Sequence, residues 1–566
     1  MKQNGPRIGT ESVEAFPAGH LKPRLSKLTM VGMSFAILNT WIALAGSLGI
    51  VLPSGGSVAF LYGFIFCVLC NLCLGASLGE MASIWPTAGG QYHFTYSLCT
   101  PRWRNSVSFW VGWISIFGWL TLVTTEAFFS AQFFSAAAVI GTAGSYEVEA
   151  WKTYLFFVAI VTYGILVNLF GNRILGAYNN GALYHSIIAV VVISITILAT
   201  GDKTDAGFVF TDFANETGWS DGVAWILGLL QSALSLIGYD VVMHMTEEMP
   251  RPTSDAPKAI LLSIVVGGVT GTAFILVMLF SLTDPETILG TATHMPITEL
   301  IYQATKSRAA AVVLTVLLGV CFINGTMGSA TSVSRLLYAM ARDKGMIFPS
   351  VFGKIHKKLD VPVAAILLVY TFNLVFGLLY LGPSVAFNAY VASCTIFLNL
   401  SCALPVGVLL LRGRATLTVH QSPSTPFKLG KWGYLCNIVA VLFVGVTTVF
   451  FCFPGALPTG TDTMNYVSAV IGIFLALLSV YWIVYGGRFE GPVSLPLFIL
   501  RCDGSGNRLL TRGRNLMLSW VLRMMNEKLG RHVLRTTSVK NKGRSIGEKV
   551  RLIKVLFCAS VESYWI

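Results

Sequence analysis

"SLIGYDVVMHMTEEMPRPTSDAP", residues 235–257, decides the fold. Asp240, Glu247 and Glu248 close a stretch that is otherwise largely apolar back to Val223. A carboxylate at the centre of a membrane helix costs about 2.5–3.5 kcal/mol on insertion scales. Gly238 stands beside the first of these acids, and a glycine weakens a helix by about 1 kcal/mol relative to alanine. The stretch therefore reads as a helix that breaks at Gly238-Tyr239-Asp240. It reaches an interface at Glu247-Glu248 and turns at Pro250, Pro252 and Pro257.

The rest of the chain gives that helix its setting. The 566 residues are 54% hydrophobic and 11% charged, with a mean hydropathy of +0.69, which no soluble globular domain approaches. A bilayer core of about 30 Å takes roughly 20 apolar residues per helix. Twelve such runs lie near 31–52, 58–82, 107–138, 153–171, 180–200, 223–247, 259–283, 309–341, 361–381, 383–411, 432–454 and 464–486. They are too continuously apolar for the alternating pattern of a barrel, so the expected fold is an all-α polytopic membrane protein.

Basic residues set the expected orientation. With the amino terminus inside, the external loops hold only Lys152, Lys203, Lys306 and Arg308 of 39 Lys and Arg, so both termini are expected in the cytoplasm. The sequon Asn215-Glu216-Thr217 then falls outside, as a candidate glycosylation site. Residues 1–29 read as a cytoplasmic tail, 30–487 as the membrane domain and 488–566 as a basic tail, in which 15 Lys and Arg face five acids. Residues 515–535 can form a basic amphipathic helix against anionic lipid. Because this charge adjoins the membrane, lipid and not nucleic acid is its expected partner.

No catalytic constellation is visible. Cys67, Cys70 and Cys73 share one face of span two, where small residues pack between helices and lipid disfavours the thiolates a metal would need. The eight His residues form no HxxH or HxxxH pair. No metal, no cofactor and no enzyme activity are expected.

A second interruption appears in span one. "NTWIALAGSLGIVLPSGG", residues 39–56, places Gly46, Ser47 and Gly49 within the membrane. Two interrupted spans five positions apart point to an inverted-repeat transporter with its site at the midplane. After span two, "IWPTAGGQYHFTYSL" at 84–98 suits an interfacial helix or gate element, with Gly89-Gly90 letting the backbone turn.

These segments resemble a known family. "GEMASIWPTAGGQYHF" (79–94), "GYDVVMHMTEEMPRPTSDAPKAI" (238–260), "SATSVSRLLYAMARDKGM" (329–346) and "TPFKLGKWGYLCNIV" (425–439), followed by "MNYVSAVIG" (464–472) and "GP" at 491, are similar to the amino-acid/choline transporter branch of the amino acid–polyamine–organocation (APC) superfamily. Fungal choline and γ-aminobutyrate (GABA) permeases belong to that branch. The resemblance covers about residues 28 to 495. It implies a 5+5 inverted repeat plus two extra helices, and alternating access around spans one, three, six, eight and ten. Matched by position, it places Ala45, Gly46, Ser47, Leu48 and Gly49 on the unwound part of span one and Gly238 and Asp240 on that of span six. Two features depart from the family pattern: the long basic tail, and Glu126 in span three, where a small or apolar residue is expected.

The chemistry expected at that site is recognition of an amine. Free amides near Gly46 to Gly49 can cradle a carboxylate, while Asp240 and Glu126 can pair with an ammonium or carry coupling protons. Each also has a structural alternative: Asp240 as a cap on broken backbone, Glu126 tied to Thr124, Thr125 or Gln132. Trp41, Trp110, Trp113, Trp119 and Tyr239 flank the site, Trp119 and Tyr239 foremost, and aromatic faces suit a quaternary ammonium. Glu247 and Glu248 lie about 10–12 Å beyond Asp240 at 1.5 Å per residue. They are expected to form an inner gate with Arg335, Arg342 or Lys344. The expected function is a secondary permease for a small amine-containing solute such as an amino acid, choline or GABA, at the plasma membrane and driven by protons. A transporter-like nutrient sensor and an exporter of an alkaloid-type metabolite are the alternatives.

Overall fold

The computed structural model describes residues 24–461 and 464–492. The tail from 493, including 515–535, lies outside the described residues, as does most of the amino-terminal tail. Among the described residues, eleven helices are long and apolar enough to cross a membrane: Lys27–Gly46, Gly56–Ala82, Arg104–Gly141, Ala150–Phe170, Leu175–Thr200, Pro252–Ser281, Arg308–Arg342, Val363–Leu381, Ser384–Arg412, Gly430–Phe450 and Val467–Arg488. They are spans one to five and seven to twelve. Span six is split into Asp221–Leu234 and Val241–His244, which is why it is too short to count as a continuous span.

The described residues form no strand, only an isolated bridge between Ser54 and Asn215. A bilayer supplies no partner for free backbone groups, and helices satisfy their own. At the starts of spans one and eight a side chain caps the helix: Ser26 accepts from the Thr29 amide and Ser307 from the Ala310 amide.

Burial divides the bundle. Spans one, three and eight are packed inside, with Trp41, Trp119 and Arg335 among the largest fully buried side chains. Spans three and eight run against each other for most of their length, and span one fits between spans five, seven and eight. Spans eleven and twelve expose Leu435, Leu442, Ile473, Leu477 and Ile483, an apolar surface suited to lipid. The fold is an all-α polytopic membrane bundle, with two interrupted helices at its centre.

Candidate functional site

The break in span six falls where the sequence places it. Gly238 has φ +97°, a left-handed conformation that L side chains rarely adopt. Helix resumes at Val241. A Cβ added at Gly238 would lie 2.6 Å from Cγ2 of Ile37, so this glycine also brings span six hard against span one.

The break in span one lies upstream of the expected one. Asn39 is left-handed, with φ 44° and ψ 31°, and ends Lys27–Leu38. The ladder resumes when the Ile42 and Ala43 amides donate to the Asn39 carbonyl. Asparagine tolerates this conformation better than other non-glycine residues. Ala45 and Gly46 are helical, only Ser47 interrupts the second segment, and Leu48 and Gly49 begin Leu48–Val51. The glycines serve close packing instead: Gly46 against Phe129 and Gly49 against Pro296.

Asp240 is buried, and its Oδ2 accepts hydrogen bonds from Gln91 Nε2 at 2.6 Å and Trp119 Nε1 at 3.1 Å. Trp119 thus presents its N–H to the carboxylate, and span three is tied to the break in span six. Tyr239 is buried beside it, and its hydroxyl has no partner. His244, which the sequence reading passed over, stands one turn on. It is fully buried, with Nδ1 3.0 Å from the Ala88 carbonyl and Nε2 3.6 Å from Asp240 Oδ2. Its signal was the four-residue spacing from Asp240, which puts both side chains on one helix face.

Glu126 pairs with neither Thr124, Thr125 nor Gln132. Its Oε2 accepts from Ser329 Oγ of span eight at 2.6 Å, and its Oε1 is unpartnered. A Cβ added at Gly325 would meet Asn39 Nδ2 at 2.5 Å, Glu126 Oε1 at 2.6 Å and the Ala36 carbonyl at 2.9 Å. Polar atoms of spans one and three therefore converge on a glycine of span eight. Asn39 Oδ1 and Gln91 Oε1 also lack partners. A buried polar atom without a hydrogen bond costs about 1–3 kcal/mol, and several such atoms lie around the two breaks.

A cavity of about 440 Å³ opens at the end of the bundle that carries His294 and Met464. Spans one, three, six and ten line it through Gly46, Thr125, Phe129, Gln231, Leu234 and Thr395, among others. Of the expected substrate-binding residues, only Gly46 lines it. Ser47 reaches it indirectly, donating to Gln231 Oε1 at 3.0 Å. Glu126, Trp119 and the Gly238-Tyr239-Asp240 break are not part of its wall.

The opposite end is shut by the residues expected to gate it. Arg335 Nε donates to Glu248 Oε1 at 3.0 Å, both side chains being buried, and Arg342 Nη1 donates to both Glu247 oxygens at 3.1 Å. The Arg24 and Leu25 amides donate to the Glu248 carbonyl, and the Ala88 amide to Glu247 Oε1. Gly90, with φ 51°, lets the loop approach His244. Lys344 pairs instead with Glu490. A further buried pair, Glu80 with Arg414 at 2.6 Å, holds the segment between spans ten and eleven.

Asn215 occupies a packed turn. Its Nδ2 donates to the Trp219 carbonyl and Asp221 Oδ1, and its Oδ1 accepts from Thr217. The nitrogen that a glycan would use already has two acceptors. Among the described residues no cluster of His, Cys, Asp and Glu is placed to hold a metal ion.

Known proteins are similar in sequence to this chain. The amino acid permease family matches residues 26–476. The choline transporter of Saccharomyces cerevisiae is 32% identical over 83% of this chain and 83% of its own. The amino-acid permease BAT1 of Arabidopsis thaliana is 30% identical over 84% of this chain and 94% of its own. The swainsonine transporter swnT of Arthroderma benhamiae is 28% identical, covering 83% and 92%. With the paired breaks and the buried carboxylate, these matches make the chain a member of the amino acid permease family, a membrane transporter and not an enzyme.

Proposed function

We propose that the protein is a secondary active permease for a small amine-containing solute: an amino acid, choline, GABA or a related metabolite. The observation that carries this is Asp240, a buried carboxylate at the break of span six, whose Gly238 packs against Ile37 just before the break of span one. A carboxylate among Trp119, Tyr239 and unpartnered polar atoms offers an ammonium both charge and aromatic surface. Glu126 supplies a second acid at the span-one break, and Ala45 to Gly49 border the route toward the cavity. The cavity at one end and the Glu247–Arg342 and Glu248–Arg335 pairs at the other describe one state of an alternating-access cycle.

Both termini lie in the cytoplasm in this reading, so the cavity faces outward across the plasma membrane, and protons supply the driving force. Similarity to a choline transporter and an amino-acid permease supports the solute class. A metabolite other than an amino acid or choline is the second reading, favoured by similarity to a protein named as a swainsonine transporter. Uptake of labelled choline into vesicles holding the purified protein, with amines and amino acids as competitors, tests the class. Saturable flux blocked by members of that panel is expected. Binding without flux would favour a sensor.

A further inference from the structure

We propose that Asp240 and His244 together hold the proton coupled to transport, an inference that rests on the permease reading and names the group behind its driving force. A carbonyl oxygen only accepts, so the contact with Ala88 requires His244 Nδ1 to carry a hydrogen. In the neutral ring Nε2 is then a bare acceptor. It faces Asp240 Oδ2 at 3.6 Å and has no hydrogen-bond partner among the described residues. Two lone pairs confront each other between buried side chains. One proton between them turns that contact into a charge-assisted hydrogen bond.

The surroundings favour this pair over any other taker of the proton. Oδ2 has its remaining contacts with the amide of Gln91 and the indole of Trp119, which donate and cannot receive. The other titratable groups facing the pair are Tyr239 on the same break and Cys394 and Cys402 from span ten. Across the Ala88 peptide stands Glu247, already held by Arg342. The Trp119 ring meets the imidazole edge-on at 5.8 Å.

The position links chemistry to gating. Ala88 accepts from His244 through its carbonyl and donates to Glu247 through its amide, so one residue joins the dyad to the Glu247–Arg342 pair. The proton is taken from one side, held between Nε2 and Oδ2, and released on the other; no other bond changes. His244 acts as a positioning residue and proton carrier, not as a contact for the solute.

The test uses full-length protein in vesicles with a trapped pH indicator and choline as the probe. Choline counterflow, which needs no net proton movement, reports whether the protein is a permease at all. The wild type is expected to show counterflow together with a choline-triggered pH change. His244→Asn, whose amide nitrogen overlies Nδ1 and can still donate to Ala88, keeps counterflow and loses the pH change. His244→Gln serves the same comparison if the first variant does not fold. An undiminished choline-triggered pH change in a folded His244 variant overturns the proposal, and so does wild-type flux without any pH change. Absence of wild-type counterflow instead overturns the choline-permease reading.

Discussion

The indole N–H of Trp119 donates to the Asp240 carboxylate across 3.1 Å, tying span three to the break in span six. A hydrogen bond to a charged group contributes about 1.5–3 kcal/mol. Trp119→Phe keeps the ring and removes the donor, so a loss of that order is expected in the unfolding free energy in detergent. An unchanged value would mean that the carboxylate does not depend on the indole.

Gly238→Ala is expected to stop transport and lower the unfolding temperature. The added Cβ meets Ile37 Cγ2 at 2.6 Å, and the left-handed backbone costs about 1–2 kcal/mol for any residue but glycine. Ile37→Ala in the same chain removes Cγ2 and relieves the clash, not the backbone cost. Partial recovery of stability in the double variant checks both terms.

The two gate pairs differ in burial, so their loss should differ in size. Glu248→Gln leaves Arg335 charged and buried, at a cost of about 3–5 kcal/mol. Glu247→Gln faces the partly exposed Arg342, where an ion pair is worth about 0–1 kcal/mol. Denaturation of the two variants should separate them clearly. Equal effects would show that burial does not govern the gate.

Beside that gate, burial pulls His93 down from 6.5 to about 4, helped by the Arg342 guanidinium and opposed by Glu247. The unfolded chain takes up a proton below 6.5 while the folded chain resists until about 4, so stability is complete above pH 6.5 and falls as pH drops. The loss reaches about 3 kcal/mol over that window. Unfolding temperatures measured between pH 7 and 4.5 should fall less steeply in His93→Gln than in the wild type.

Asn215 anchors its turn through both Nδ2 hydrogens, so treatment with a glycosidase is expected to leave the mobility of the native protein unchanged. Asn215→Asp keeps the acceptor for Thr217 and loses both donor contacts, and a lower unfolding temperature should follow. A mobility shift on deglycosylation that disappears in the variant would show that the turn opens in the cell.

Much of this was legible in the sequence because glycine beside a membrane carboxylate has few readings. Gly238 and Asp240 marked the break in span six, and the spacing to Glu247 and Glu248 led to their ion pairs with Arg342 and Arg335. Span one misled for a physical reason. Its Gly-Ser-Gly cluster looked like the weak point, yet a glycine in a membrane helix serves equally well as a seat for a neighbouring side chain, here Phe129 or Pro296. The residue that breaks the helix, Asn39, gives no such signal, since asparagine is left-handed only where packing asks for it. His244 escaped notice because its role depends on Ala88, 156 positions away in the chain. Glu126 was visible as an oddity, but its partner Ser329 was set by the packing of spans three and eight.

Solute is expected to cross the membrane by way of the Asp240 carboxylate at the paired breaks. Labelled-choline counterflow in vesicles, comparing wild type with Asp240→Asn, tests it most directly. The amide is close in size to the carboxylate and carries no charge, so the account predicts a folded variant whose counterflow falls to background. Counterflow at the wild-type rate in Asp240→Asn would contradict it.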